Sequence, residues 1–191
     1  MNHSSWWDSI ILFYLNKTLL KVDGIGMMSL EGLTRFPFFR KIGAFSVDRS
    51  SIRSMIHSLQ YASKELTNGK HLFLFPQGEE LHIETRPLRF LSGASYLHEK
   101  NKNIPIIPIT FYHSLVHHQL PEWYIHIGDK MSIPTTTRKE TTSLMESIME
   151  KNLDWLREKA INEHPGTFKL LLKGKESFAD KLDLKRRLRR K

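Results

Sequence analysis

An α/β fold with a mixed, mostly parallel sheet flanked by helices is what this sequence predicts. Three observations carry that expectation. Short apolar runs of strand length alternate with helical patterns along the chain. His71-Leu72-Phe73-Leu74-Phe75 is a continuous apolar run bounded by breakers, as a central strand requires. Residues 52–66 carry one apolar stripe at helical spacing, through Ile52, Met55, Ile56, Leu59 and Leu66.

Taken in order, residues 5–20 read as a helix, with Trp6, Ile10, Phe13 and Tyr14 at helical spacing. Ser4 or Ser5 is placed to cap it, and Asp8 then falls in the first turn, where a carboxylate suits the positive helix end. Gly24-Ile25-Gly26 reads as a turn, Met27 to Leu30 as a strand, and Glu31 to Ile42 as a helix broken at Pro37. Phe36, Phe38 and Phe39 are expected in the core. Ala44 to Val47 is a short strand. The amphipathic helix that follows starts at Ser50 or Ser51 and stops at Asn68-Gly69. Leu81 to Arg89 reads as a loop and Leu91 to Lys100 as a helix. Ile104 to Tyr112 reads as a strand made irregular, or kept at an edge, by Pro105 and Pro108. Trp123 to Ile127 is a further strand. A helix from about Thr141 to Asn162 closes the domain, with Met145, Ile148, Met149, Leu153, Leu156 and Ala160 on one face.

Composition narrows the function. A chain of 191 residues, 40% hydrophobic and 10% aromatic, suits one domain with a sizeable core. With no cysteine, disulfides, thiolate metal sites and a cysteine nucleophile are excluded. Residues 168–191 hold ten Lys and Arg against three Asp and Glu, so +7 of the chain's +9 lies there and residues 1–167 carry +2. The expected division is therefore 1–165 as the folded domain and 166–191 as a basic amphipathic tail. That tail has the composition of a helix lying on an anionic membrane; a solvated, frayed terminus is the alternative. No basic signal-peptide start is visible, and no run approaches the roughly 20 apolar residues that span a bilayer. Gly24-Ile25-Gly26 lacks the third glycine and the preceding strand of a dinucleotide fingerprint. His113, His117 and His118 form a small cluster with no spaced carboxylate, so no metal site is expected.

The chemistry gathers at Asn2-His3-Ser4-Ser5-Trp6-Trp7-Asp8. A loop histidine beside a first-turn carboxylate can donate one ring N–H to it, which fixes the other nitrogen as a proton acceptor. Such a pair can deprotonate a hydroxyl that attacks an activated acyl group. Asp8 as a plain helix cap is equally open on this pattern alone.

Four blocks in order resemble the motifs of the glycerolipid (lysophospholipid) acyltransferase family, across roughly residues 2 to 130. They are Asn2-His3-x4-Asp8, Gly43-Ala44-Phe45-Ser46-Val47-Asp48-Arg49, Phe75-Pro76-Gln77-Gly78 and Ile104-Pro105-Ile106-Ile107-Pro108-Ile109. The resemblance implies a glycerol-3-phosphate acyltransferase-like fold. It also implies transfer of a fatty acyl group from acyl-CoA or acyl-carrier protein to a hydroxyl of a lysophospholipid or related acceptor. His3 is then the general base and Asp8 its orienter. Arg49 would bind the acceptor's phosphate, and Gly43, Phe75, Pro76, Gln77 and Gly78 would help hold substrate, with Gly78 presenting amides to an oxyanion. Read without the resemblance, Gly43 would allow a close backbone approach or a tight turn, Arg49 has a surface salt bridge to Asp48 open to it, and Ile104 to Ile109 is as open to a core role as to an acyl groove.

The third block departs from the family's Phe-Pro-Glu-Gly-Thr-Arg-Ser: Gln77 replaces the glutamate, and Glu79 and Glu80 stand where threonine and arginine are usual. That departure favours an acceptor rich in hydroxyls, such as a glycolipid. Members also carry a strand before the Asn-His block, whereas only Met1 precedes it here, so an N-terminally truncated domain is expected. No cofactor is implied, and the expected place is cytoplasmic, peripheral on the inner face of the cell membrane. A basic nucleic-acid-binding protein is the rival from another class; the near-neutral body and the lack of a recognition motif argue against it.

Overall fold

The structure, a computed structural model, describes residues 1–115, 120–162, 164 and 166–174. Three strands form a parallel sheet. β1 (Gly24–Ser29) lies in its middle, between β2 (Ala44–Val47) and β3 (His71–Phe73). Gly26 pairs with Ala44 on one side and Phe73 on the other. β4 (Ile109–Ser114) and β5 (Glu122–Ile127) form a separate antiparallel pair, with Ile109 opposite Ile127. Helices α1 (Asp8–Leu15), α2 (Leu30–Arg35), α3 (Ile52–Thr67), α4 (Gly93–Lys100) and α5 (Arg138–Ile161) flank these sheets. The α/β class expected from the alternation is the class observed.

Local signals placed the helix ends well. The Ser51 hydroxyl accepts the Ser54 N–H at the start of α3, and Asn68 caps its end before Gly69 turns at φ +88°. Thr137 and Glu140 form a capping box that starts α5 at Arg138, one turn ahead of the Thr141 expected. Pro37 ends α2 and opens a 3-10 helix over Pro37–Ile42. The α5 face expected to be apolar is the face buried, from Met145 to Ala160, and it packs on Tyr112 and Tyr124.

Four expectations change. Gly24-Ile25-Gly26 is strand, not turn, because parallel neighbours on both sides take its backbone groups. The apolar run at His71 is an edge of the parallel sheet and stops at Phe73; beyond it, the Leu74 carbonyl accepts the Met1 amine and Pro76 has no N–H to offer. The strand foreseen from Ile104 begins only at Ile109, past both prolines. The first helix starts at Asp8 and gives way to a π turn at Asn16–Leu20. There the Asn16 amide clasps both backbone groups of Val22, at 3.0 and 3.1 Å.

Residues 1–3 join the two sheets. The Met1 amine donates to Leu74 O, just past β3, at 3.0 Å. On β4, the Asn2 side chain donates to Phe111 O at 2.9 Å and accepts from Phe111 N at 2.8 Å. Under this seam Leu12, Leu15, Ile109 and Phe111 form a second core, with Phe73 and Phe75 packed against it.

The apolar stripe of α3 is real but does not face that core. Its buried positions are the small Ser58 and Ala62, while Ile52 is 72% exposed. Ile52, Met55, Ile56 and Leu59 instead wall a cleft. Of the three phenylalanines expected in the core, Phe39 is buried, Phe36 is half-buried and Phe38 is exposed. In the tail, Phe168 packs against the α5 core and Tyr124, and residues 169–174 carry no helix. His117, His118 and residues 175–191, with most of the tail's cations, lie outside the described residues.

Candidate active site

His3 is set by its own backbone before its ring is considered. Its N–H donates to the buried Gln77 side-chain oxygen at 2.6 Å, and its carbonyl accepts from Leu81 N at 3.0 Å. The loop after β3 therefore grips the residue from both sides. Its ring then stacks on Phe75, 4.4 Å between centroids and 25° apart. With backbone and ring plane fixed, the imidazole has little freedom left to lose on meeting a substrate.

Nδ1 of His3 lies 3.1 Å from Asp8 Oδ2. Asp8 is fully buried, and Oδ2 also accepts the Ser4 and Ser5 amides at 2.7 and 2.9 Å. Three donors converge on one oxygen at the positive end of α1, which offsets the cost of burying the carboxylate. Ser5 does accept the Trp7 amide as a cap would, at 3.2 Å, but one turn ahead of the regular helix. One carboxylate oxygen thus holds the Ser4 and Ser5 amides and also meets the imidazole. With Nδ1 as donor to Asp8, Nε2 is left as an acceptor directed away from it.

Nε2 meets Glu80 Oε1 at 3.8 Å, on the exposed rim. Behind the pair, Ser4 Oγ and His113 Nε2 stand 3.3 Å apart, and the His113 ring leans on Trp123. Sequence reading had put His113 with His117 and His118; its place behind Ser4 has no sequence signal, since 109 residues separate the two.

Arg49 does not pair with Asp48. The Asp48 carboxylate is taken by the amide and hydroxyl of Ser50, whose hydrogen bonds hold its pKa below the usual carboxylate range. Arg49 Nη1 donates instead to Gly78 O at 2.8 Å, which brings β2's end to the loop after β3. Gly78 sits at φ +72°, and its N–H donates to Phe75 O at 3.0 Å. That amide closes the turn and is not presented to an oxyanion. Pro76 is buried, and its carbonyl accepts Leu91 N.

Gly43 makes the close backbone approach that its missing side chain allows, and not the substrate contact that the resemblance implies. At φ +95° it ends the 3-10 helix, and a Cβ there would stand 2.5 Å from Gly24 O. It lets β2 close on β1 and does not line the cleft. Gln77 likewise acts on His3 from behind and is not a wall of the cleft.

The cleft measures about 1040 Å³. His3, Phe75 and Gly78 stand on it with Arg49, Glu79 and Glu80. Its floor is β1, its walls are α1 and the apolar stripe of α3, and Arg35 and Phe36 lie on it too. The block at Ile104 to Ile109 does not line it; Ile106 and Ile109 belong to the cores. The cleft joins polar residues, His3, Arg49, Glu79 and Glu80 among them, to a larger apolar lining. It fits a molecule with a hydrocarbon chain and a hydroxylated head.

Residues 1–112 match a family model described as Acyltransferase. A protein of Mycoplasma pneumoniae named "Probable 1-acyl-sn-glycerol-3-phosphate acyltransferase" is 29% identical over 122 residues. That match covers 61% of this chain and 44% of the relative, so the chain spans less than half of that protein's length. No solved structure matches.

Proposed function

The chain belongs to the acyltransferase family, and from that premise we propose that it moves a fatty acyl group from acyl-CoA or acyl-carrier protein to a hydroxyl of a lysophospholipid or related lipid acceptor. The observation that carries this reading is the His3–Asp8 pair, 3.1 Å apart, at the polar end of a large apolar cleft. The name of the Mycoplasma relative supports an acceptor of the lysophosphatidate kind.

In this reading the acceptor hydroxyl lies against His3 Nε2. As its oxygen attacks the thioester carbonyl, its proton passes to Nε2, and Asp8 stabilises the imidazolium that forms. The tetrahedral intermediate collapses, the C–S bond breaks, and the leaving thiolate takes the proton back from Nε2. The products are an ester and a free thiol. The thioester supplies the driving force, so no metal or redox cofactor is called for. Arg49, on the same cleft and with donors beyond the one given to Gly78, is the cation for an acceptor phosphate.

A second reading concerns the acceptor alone. Glu79 and Glu80 stand on the cleft, and Glu80 lies 3.8 Å from Nε2. Carboxylates there repel a phosphate and accept hydrogen bonds from a polyol, which favours a glycolipid.

Among the described residues no helix is long and apolar enough to cross a membrane. The proposed place of work is peripheral, on the inner face of the cell membrane. The test is to incubate the full chain with labelled acyl-CoA and a panel of lysophospholipids and glycolipids, beside His3→Ala. Labelled ester with the parent and none with the variant is expected. Equal ester from both would end the assignment, and free fatty acid in place of ester would make it a thioesterase.

A further inference from the structure

We propose that Glu80 is a specificity-determining residue, which selects acceptors carrying a second hydroxyl close to the one that His3 deprotonates. This role rests on the acyl-transfer reading above and specifies the acceptor. The loop after β3 sets Glu80 in place. Gln77 takes the His3 N–H at 2.6 Å, and Leu81 gives its own N–H to the His3 carbonyl at 3.0 Å. Glu80 lies between these two anchors, so the backbone on either side holds it beside the imidazole. Its Oε1 stands 3.8 Å from Nε2, and its side chain is 49% exposed.

At 3.8 Å the two groups share no hydrogen bond, and among the described residues Glu80 accepts none from any other. Nε2 and Oε1 are thus two acceptors side by side on one cleft. A hydroxyl holds one proton, and a hydroxyl that gives it to Nε2 has none for a carboxylate. A second hydroxyl on the acceptor, one or two carbons away, supplies it. With hydrogen bonds of about 2.8 Å, the two oxygens face Nε2 and Oε1 together. The second hydroxyl keeps its proton throughout, so Glu80 takes no part in the bonds made and broken.

The same carboxylate works against an acceptor with a single hydroxyl. Unpaired beside Nε2, it stands close to the negative charge that develops during attack on the thioester, which costs energy at the transition state. A hydroxyl hydrogen-bonded to Oε1 draws off part of that charge and offsets the cost. Discrimination is therefore expected in kcat as well as in KM. Glu79 lines the same cleft; Glu80 is the residue that an observed distance places at Nε2.

The experiment gives the full chain labelled acyl-CoA and, in turn, dodecylglycerol, each of its two monomethyl ethers, and lysophosphatidate. The glycerol and its ethers are uncharged, so repulsion of a phosphate does not enter their comparison. The parent is expected to favour the diol over the better ether by about tenfold or more in kcat/KM. In Glu80→Ala that ratio is expected to fall to within about twofold, with the far-ultraviolet circular dichroism kept. Glu80→Gln, which keeps an acceptor oxygen, is expected to give a ratio between the two. A ratio in Glu80→Ala equal to the parent's would overturn the proposal. So would a parent that uses the diol and the better ether equally, or that esterifies lysophosphatidate and not the diol. Each of these outcomes leaves acyl transfer standing, whereas no ester from any acceptor ends that reading and this role with it.

Discussion

Asn2 and Phe111 exchange two hydrogen bonds, 2.9 Å from amide nitrogen to carbonyl and 2.8 Å from backbone N–H to amide oxygen, so that a side chain does the work of a strand neighbour. Both residues are buried. Asn2→Ala therefore leaves a backbone donor and a backbone acceptor of β4 without partners or water. The expected loss is about 3 kcal/mol, since each unsatisfied buried group costs about 1–3 kcal/mol. Urea unfolding measures it; a loss within a few tenths of a kcal/mol would mean that the seam relaxes and re-pairs.

Asp8→Asn separates charge from folding. An amide oxygen at the Oδ2 position can still accept from Ser4, Ser5 and His3 Nδ1, so the loop and the imidazole keep their places. The neutral side chain no longer stabilises the imidazolium that the proposed mechanism forms. On the proposed mechanism kcat is expected to drop about a thousandfold, with the far-ultraviolet circular dichroism unchanged. Turnover near that of the parent would show that the carboxylate serves the helix alone.

Gly26 sets the depth of the cleft. A Cβ there meets nothing nearer than Phe73 O at 4.0 Å, and the residue lines the floor. Gly26→Leu adds a side chain to that space without disturbing the β1 ladder. If it displaces three methylenes at about 0.8 kcal/mol each, long-chain donors lose roughly fiftyfold in kcat/KM and short-chain donors little. A parallel loss for all chain lengths would place the hydrocarbon elsewhere.

The α5 cap titrates. Hydrogen bonds from Thr136 and Thr137 hold the Glu140 carboxyl down at about 2, against 4.5 for the free group. A depressed pKa stabilises the fold above pH 4.5, and the gain is lost as pH falls from 4.5 towards 2. Glu140→Ala should lower Tm near neutral pH, and the gap to the parent should close across that acid range. A gap constant down to pH 2 would assign the effect to helix propensity instead.

What could be read from the chain divides by range. Ser51, Asn68-Gly69 and Pro37 act on their own neighbours, and the helix ends they mark came out within a few residues; the Thr137–Glu140 box is just as local, yet the expected start near Thr141 overlooks it. Gly24 and Gly26 were misread because glycine punctuates a chain only when nothing across from it supplies a ladder, and here two strands do. Asn2 and Gln77 fix the candidate base through contacts 109 and 74 residues distant, which no local pattern announces. The periodicity of Ile52, Met55, Ile56 and Leu59 was legible; that it faces a void and not the core was not, because spacing records which residues share a side and not what lies opposite.

That stripe has a thermodynamic consequence. If the proposed substrate lies along α3, its hydrocarbon tail packs on Ile52, Met55, Ile56 and Leu59 and takes their surface from water. On the proposed reading, occupancy raises the melting temperature and makes binding show a negative heat-capacity change, so calorimetry could rank acyl chains before any product is made.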